Sequence, residues 1–365
     1  MIFIVSRYYN SETLFGGEKF SKRFFEFLPE INDKVNFIDF YRGYSVSSLL
    51  FKVVGYKRII NADYVSFLKL GIIPILYLLI KNKPTRIFFT TLEGYSAIFL
   101  LNKIFRNKCT YINIIHSIFS TDLEYQNKDS KMNLFLRWKI SKVESLLFNY
   151  CNFLVFPSNL AISDAQRYYN LDKERLKIIP HGVDDKFFIR RNCISLYEPL
   201  KLIFVGGNVR LVKGFEFLLS SLERVPIKID ISICGQLDSF PLISNSHINL
   251  NYLGEKSTSE LAGLYKQHDI FLLPSQFETY GIAALEAMAA GLVVIMTRDC
   301  GLGEYALPNK DFIQIQYGNE EEFLERIIEL HNNRDLLKFF SKNAIAFANK
   351  LRWKFVIPKY FTQIG

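Results

Sequence analysis

Short runs of apolar residues alternate along the chain with longer stretches in which apolar residues recur at helical spacing. Six apolar runs predict strands in the first half, and amphipathic stretches such as Leu134–Asn149 predict helices. The pattern restarts in the second half with six more runs. The predicted strands are Ile2–Ser6, Val35–Asp39, Tyr64–Phe67, Arg86–Thr90, Tyr111–Ile115, Phe153–Pro157, Leu202–Gly206, Lys228–Cys234, Ile248–Tyr252, Ile270–Pro274, Val293–Thr297 and Phe312–Ile315. Strands that alternate with helices are typical of parallel sheets, so we predict an α/β protein.

The two halves are separated by a segment without sustained periodicity, from about residue 172 to residue 199. It carries charge together with Pro180, Gly182 and Pro199, which is typical of a linker. We therefore predict two Rossmann-like, doubly wound domains, residues 1–177 and residues 178–349. Sheets of this kind bind ligands at the carboxyl ends of their strands, so we expect a ligand in the cleft between the domains.

Composition and charge limit the possible classes. Of the 365 residues, 49% are hydrophobic and 22% are charged, which excludes intrinsic disorder. The net charge of +9 favours polyanionic partners without choosing among nucleotides, anionic lipid and nucleic acid. The five cysteines show no metal-ligand spacing, which fits a reducing cytoplasm. No apolar run reaches the ~20 residues of a spanning helix. We predict a cytoplasmic protein, at most peripheral on the inner face of the plasma membrane.

The most informative stretch covers residues 274–291. A predicted strand ends at Pro274, a polar loop contains Glu278, and a helix is predicted to start near Gly281. The free amides and positive dipole of a helix start favour a phosphate group, and glycine permits its close approach. Glu278 and Glu286 can accept hydrogen bonds from sugar hydroxyls. Glu286 could instead be an ordinary surface residue, but its small and apolar neighbours predict burial, where an unpaired carboxylate is costly.

A second stretch, Phe204–Gly214, combines a strand, a Gly206-Gly207 step and two cations, Arg210 and Lys213. The cations could be solvated loop charges. They could also neutralise a diphosphate in the same cleft, where each charge-assisted hydrogen bond contributes roughly 1.5–3 kcal/mol.

Taken together, these stretches resemble the retaining glycosyltransferases of family four, also called glycosyl transferases group 1, which have the GT-B fold. Glu278 and Glu286 match the Glu-x7-Glu signature of that family. Ile178–Asp184 resembles its Ile-Pro-Asn-Gly-Val-Asp segment, and Phe204–Gly214 resembles its phosphate-binding loop. The resemblance is dense over residues 178–306 and loose in the first half.

The resemblance implies that the second domain binds a nucleotide sugar and the first domain binds the acceptor. The implied nucleotide-sugar site consists of Gly16, Gly17, Gly207, Arg210, Lys213, Glu278, Tyr280, Gly281, Ile282 and Glu286. Glu286 would hold the ribose hydroxyls and Glu278 the donor-sugar hydroxyls. The family's usual arginine after the glycines is replaced by Asn208, so Arg210 is the expected substitute and Lys213 the direct match.

His116 and the Gly16-Gly17 pair have both a structural and a functional interpretation. A lone histidine after a strand, such as His116, is often a core or cap residue, but the resemblance implies a contact with the donor sugar. Gly16-Gly17 could simply form a turn, or it could be the family's glycine-rich loop near the donor phosphate and the acceptor. His181 stands where the family usually has Asn, and we expect it to be structural.

The predicted activity is sugar transfer from a nucleoside-diphosphate donor, a UDP- or GDP-sugar, to an acceptor hydroxyl. By resemblance, the reaction would be retaining, metal-independent and without a cofactor. The expected catalytic residues are His116, Arg210, Lys213 and Glu278. The departing diphosphate would be stabilised by the two cations and by the amides at Gly281–Ile282. The chain has no Asp-x-Asp pair, P-loop, dinucleotide fingerprint or nucleophile elbow, which disfavours kinases, dehydrogenases and hydrolases.

The acceptor is expected to be a glycan or lipid carrier in cell-surface polysaccharide, lipopolysaccharide or glycolipid assembly. Basic and aromatic residues in Leu134–Phe148 could lie on an anionic membrane, or the helix could face the core with a solvated basic side. Residues 350–365 resemble the family's terminal helix that crosses back to the first domain, anchored by Trp353 and Phe361. A small soluble acceptor and a non-catalytic nucleotide-sugar-binding protein are the alternatives. No nucleic-acid motif is present.

Overall fold

The computed structural model describes residues 2–5, 20, 23–24, 35–40, 56–61, 65–70, 72–82, 85–90, 109–125, 134–189, 199–206, 211–237 and 240–364. Its described strands form an eight-stranded and a six-stranded sheet. The strands of the first sheet are β1 (Ile2–Val5), β2 (Val35–Phe40), β3 (Tyr56–Asn61), β4 (Val65–Leu70), β5 (Arg86–Phe89), β6 (Thr110–Ile114), β7 (Phe153–Phe156) and β8 (Leu176–Ile178). The strands of the second sheet are β9 (Leu200–Val205), β10 (Ile229–Cys234), β11 (Ile248–Gly254), β12 (Ile270–Leu273), β13 (Val293–Thr297) and β14 (Ile313–Ile315).

Helices pack on both sheets and follow the βαβ order. They are α1 (Ile72–Asn82), α2 (Phe119–Tyr125), α3 (Leu134–Tyr150), α4 (Asn159–Gln166), α5 (Phe215–Leu222), α6 (Thr258–Tyr265), α7 (Ile282–Ala289), α8 (Glu320–Asn332), α9 (Arg334–Asn349) and α10 (Trp353–Thr362). In the described part of the chain, no helix is long and apolar enough to cross a lipid bilayer.

The first sheet has the order β3-β4-β2-β1-β5-β6-β7-β8, and each neighbouring pair is parallel except the antiparallel pair β3–β4. Two of these strands were not predicted. Lys57 and Arg58 interrupt the apolar pattern of β3, and β8 has only three residues within the stretch interpreted as a linker. The end of β8 at Ile178 lies one residue beyond the predicted domain boundary, which stays a prediction.

The second sheet is parallel throughout, with the order β11-β10-β9-β12-β13-β14. All six predicted strands of this half are confirmed, with shifts of one or two residues at their ends. Strand order reverses between the neighbouring strands β9 and β12. The loops that follow these two strands therefore flank the switch point at which ligands of such sheets bind.

Helix α3 faces the core with Val143, Leu147 and Phe148, which are buried. Trp138 on the same helix is 58% exposed. The core-facing interpretation thus holds for these three residues, and the membrane interpretation stays a prediction for the exposed side.

The last helix, α10, joins residues of both halves. Tyr360 contacts the rings of Phe20 and Phe24, with centroid distances of 5.3 and 5.5 Å. Phe361 stacks on Phe24, and its carbonyl accepts a hydrogen bond of 3.0 Å from Arg86, the first residue of β5. At the start of the helix, the buried indole of Trp353 packs against Gly182, where an added Cβ would lie 2.5 Å from the ring.

Candidate functional site

The loop after β12 and the start of α7 form the centre of the site. Gly281 precedes the helix with φ = 98°, in the left-handed region, and an added Cβ would lie 2.8 Å from Cys300 Sγ. Both facts require glycine here. Because glycine has no side chain with which to cap the helix, the first amides of α7, beginning with Ile282, remain available to an anion.

Lys213 reaches this loop from the neighbouring strand. It ends a short 3-10 turn after β9, and Gly214 follows with φ = 73°. An added Cβ on Gly214 would lie 1.8 Å from the carbonyl oxygen of Pro274, so the two loops touch through their backbones. The Gln276 amide also donates to the Val212 carbonyl, at 2.8 Å. The sequence motif alone could not show that these loops are in contact.

Lys213 and Glu278 form an ion pair. Their side chains are 21% and 15% exposed, so the pair is largely buried but partly open to solvent. The backbone fixes Glu278 from both sides: its amide donates to Asp299 and its carbonyl accepts from Gly301, each at 2.9 Å. A cation, a carboxylate and a helix start thus converge at one point. Their assignment to a diphosphate and a donor sugar stays a prediction.

Glu286 lies in α7 and is 4% exposed, so its predicted burial is confirmed. Burial lowers the pKa of Lys186, and the negative charges of Asp184 and Glu286 oppose that change. Burial also raises the pKa of Tyr265, and the charge of Glu286 adds to the increase. Glu286 is therefore a buried carboxylate beside a partly buried lysine and a buried phenol.

His116 follows β6 and stacks on His181, with ring centroids 5.1 Å apart. The distance from His116 Nδ1 to His181 Nε2 is 3.5 Å. Burial lowers the pKa of His116 to about 4, and it lowers the pKa of His181 as well, with a further decrease from His116. Both rings are therefore neutral at pH 7. His181 is 1% exposed, in agreement with the structural role expected for it.

The side chain of Tyr280 is buried, whereas a residue that lines a nucleotide site was expected to be accessible. Its ring is buried and packs edge-on against His181, with centroids 5.1 Å apart. Its hydroxyl donates to the carbonyl of His181, at 3.0 Å. The side chain of Tyr280 thus supports the segment around His181, while its backbone remains in the loop before α7.

Four of the expected site residues, Gly16, Gly17, Gly207 and Arg210, lie outside the described residues. The structure brings together Lys213, Glu278, Gly281 and Ile282 at the end of the second sheet. His116 approaches the same loop from the first sheet, because its carbonyl accepts a hydrogen bond of 3.0 Å from Thr279 Oγ1. Within the described ranges, no group of three or more His, Cys, Asp or Glu side chains could hold a metal ion.

Sequence analysis missed the residues that join the two halves near this loop. Ser158 begins α4 and donates to the Thr279 carbonyl, at 2.7 Å. The Glu304 carboxylate accepts from the amides of Asn159 and Leu160, at 2.7 and 2.6 Å. A serine between an apolar strand and a helix is a recognisable N-cap signal. Nothing local marks Glu304, because its partners lie more than 140 residues away.

Comparison with known proteins agrees with this geometry. Residues 189–347 match the family Glycosyl transferases group 1. The matched segment contains Lys213, Glu278 and the whole of α7. An uncharacterized glycosyltransferase of Methanocaldococcus jannaschii is 32% identical over 187 residues, which cover 50% of this chain and 51% of that protein. The chain thus spans about half the length of curated relatives that it matches.

Solved structures of glycosyltransferases share the fold over nearly the whole chain. Sucrose-phosphate synthase from Thermosynechococcus elongatus superposes with a TM-score of 0.76 at 13% identity, covering 99% of this chain and 97% of that one. HepE of Anabaena, solved in complex with UDP-glucose, superposes with a TM-score of 0.69 at 13% identity, covering 99% of each chain. At such identities the likeness shows the fold alone, and it confirms the predicted GT-B architecture.

Proposed function

We propose that this protein is a glycosyltransferase that moves a sugar from a nucleoside-diphosphate donor to an acceptor hydroxyl. The observation that carries the proposal is the Lys213–Glu278 ion pair beside the uncapped start of α7. It lies at the switch point between β9 and β12, within the segment that matches the family. The UDP-glucose complex of HepE, which has the same fold, adds support for a nucleotide-sugar donor.

The donor diphosphate would bind at the amides of Gly281 and Ile282 and draw the Lys213 ammonium away from Glu278. Glu278 would then be free to accept hydrogen bonds from the donor sugar. Glu286, within the helix, would accept from the ribose hydroxyls. Arg210 would supply a second cation. Charge develops on the diphosphate as its bond to the sugar breaks, so fixed amides and cations stabilise the transition state more than the bound donor.

His116 would contact the donor sugar as a neutral group. Because its pKa is about 4, it carries no charge at pH 7 and does not help to neutralise the diphosphate. Its part would be to orient a sugar hydroxyl by hydrogen bonding. Lys213, Arg210 and the helix start would therefore provide all of the positive charge that the proposal assigns to the leaving group.

We propose that the reaction retains the anomeric configuration and needs neither metal nor cofactor. The acceptor would attack from the face that the diphosphate leaves, and the diphosphate oxygen would take the acceptor proton. The acceptor would be a growing surface glycan or its lipid carrier, reached at the cytoplasmic face of the membrane. This choice rests on the net charge of +9 and on the family resemblance.

The direct test is transfer from UDP-glucose, UDP-N-acetylglucosamine or GDP-mannose to lipid-linked glycans, with mass spectrometry of the products. We expect transfer in the presence of EDTA and, by NMR, an α-linked product from an α-linked donor. A β-linked product or a strict metal requirement would contradict the proposed mechanism. Activity on soluble acceptors alone would indicate the small-acceptor alternative. Donor binding without release of nucleoside diphosphate would indicate a non-catalytic binding protein.

A further inference from the structure

The loop that carries Glu278 is tied to both halves of the protein by alternate residues. The carbonyls of Glu278 and Tyr280 accept hydrogen bonds from the amides of Gly301 and Leu302, at 2.9 and 2.7 Å. These bonds stay within the second half. Thr279, between them, faces the first half.

Thr279 makes two hydrogen bonds across the halves. Its Oγ1 donates to the carbonyl of His116, at 3.0 Å, and its own carbonyl accepts from Ser158 Oγ, at 2.7 Å. We call these two bonds the Thr279 latch. They bring the ends of β6 and β7 of the first sheet to the residue that directly follows Glu278.

The Ser158 hydroxyl makes two hydrogen bonds at this position. It donates to Thr279 and accepts from the Ala161 amide, at 3.0 Å, as the N-cap of α4. A hydroxyl has one hydrogen to donate, so Ser158 has none left for another acceptor. The Glu304 carboxylate holds the next two amides of the same helix. The start of α4 is therefore fixed to the second half at successive residues.

The backbone around the latch is closely packed. An added Cβ on Gly301 would lie 2.2 Å from the Thr279 carbonyl oxygen and 2.6 Å from Ser158 Oγ. Segments from both halves thus meet at van der Waals contact beside Thr279.

We propose that Thr279 is a positioning residue, which sets the place of Glu278 according to how the two halves are closed. This inference rests on the proposed function, because Glu278 matters only if it contacts a donor sugar. With the latch made, the loop holds Glu278 and the start of α7 in the productive arrangement. With the latch broken, the helix start still offers its amides to a diphosphate, but the residue that follows Glu278 is no longer tied to the first half.

The test compares Thr279→Val, which removes the hydroxyl at nearly constant size, with Thr279→Ser, which keeps it. Thr121→Val is the matched control, because Thr121 donates a buried hydrogen bond of 2.7 Å to Asp164 within the first half. Four quantities are measured for each variant. They are the dissociation constant of UDP by calorimetry, kcat and KM for UDP release from UDP-glucose, and amide hydrogen exchange of residues 278–282 without ligand.

Thr279→Val should lower kcat by about three- to tenfold, the effect of one lost hydrogen bond, with UDP affinity unchanged within about twofold. It should also speed exchange at residues 278–282. Thr279→Ser should restore both values, and Thr121→Val should change neither. An unchanged kcat, an equal loss of UDP affinity, or unchanged exchange at residues 278–282 would overturn the proposal. If the native protein neither binds UDP nor releases it from UDP-glucose, the proposed function fails for these probes. Hydrogen exchange then decides on its own whether the latch exists.

Discussion

Replacing Glu278 by Gln should slow transfer and yet leave UDP affinity unchanged or tighter. In the ligand-free protein the Lys213 ammonium pairs with the Glu278 carboxylate. A bound diphosphate requires the same ammonium, so carboxylate and diphosphate compete for it. Glutamine keeps the shape and one oxygen acceptor but removes the charge. Lys213 is then free to meet the phosphate, while the donor sugar loses a charged partner.

The structure sets the size of the two effects. Because both partners are partly exposed, at 21% and 15%, the pair belongs with the weaker ion pairs. Such pairs contribute about 0.2–1 kcal/mol, so Glu278→Gln should tighten UDP binding by at most about fivefold. Lys213→Met removes a charge-assisted hydrogen bond worth roughly 1.5–3 kcal/mol, which should weaken UDP binding by about ten- to a hundredfold. Substitutions at the two ends of this ion pair should therefore change UDP affinity in opposite directions.

Calorimetric titration of UDP into the native protein and the two variants measures these effects, and initial rates with UDP-glucose measure transfer. Raising the salt concentration should weaken UDP binding least in Lys213→Met, because that variant has lost the cation at the phosphate. A tenfold or greater loss of UDP affinity in Glu278→Gln would refute the reasoning, since Glu278 would then contribute to nucleotide binding. Unchanged affinity in Lys213→Met would refute it equally.

Three further predictions concern stability. Gly281→Ala should lower the free energy of unfolding by about 1–3 kcal/mol in urea titrations, because φ at Gly281 is 98° and an added Cβ would collide with Cys300 Sγ. Gly263→Ala, at an exposed position of helix α6, should instead raise the free energy of unfolding by about 0.5–1 kcal/mol. The free energy of unfolding should decrease as the pH is lowered from 6.5 to 4. The reason is that His116 in the unfolded chain binds a proton in this range, whereas His116 in the folded protein has a pKa of about 4 and does not. His116→Asn should make this pH dependence less steep. Glu304→Gln should lower the free energy of unfolding, measured by thermal unfolding, by about 1 kcal/mol, because the amides of α4 lose a charged acceptor. An unchanged melting temperature would show that water replaces the carboxylate as acceptor.

The second half of the fold was predictable because its signals are local. The central strand β12 is a continuous apolar run, as expected of a strand that is buried on both faces of a parallel sheet. In β10 and β11, apolar residues alternate with polar ones, which is also a local strand signal. β12, the loop with Glu278 and the glycine before α7 follow one another within twelve residues, so their order in the sequence is also their arrangement in space.

Elements that depend on distant partners were not predictable in the same way. Among the described strands, β3 pairs with β4 alone, and its charged residues Lys57 and Arg58 break the apolar run. β8 is three half-exposed or exposed residues that become a strand because β7 lies beside them. No short-range pattern in the sequence specifies these pairings.

The candidate site also combines residues that local sequence patterns identify with contacts that depend on distant partners. Residue types and spacing pointed to Lys213 and Glu278 separately, but their pairing depends on two loops that meet through Gly214 and Pro274. The contact of Thr279 with His116 spans 163 positions and leaves no trace in the sequence pattern. Sequence patterns therefore identified the chemical groups, and the fold shows which of them act together.

Binding of nucleoside diphosphates to the native protein tests the central claim most directly. The melting temperature is measured with UDP, GDP, ADP and CMP, each with magnesium and with EDTA, beside the Glu286→Gln variant. We predict that UDP or GDP raises the melting temperature equally in magnesium and in EDTA, and that the variant shows little or no rise. No rise with any of the four nucleotides, or an equal rise in the variant, would contradict the assignment of the site at the start of α7.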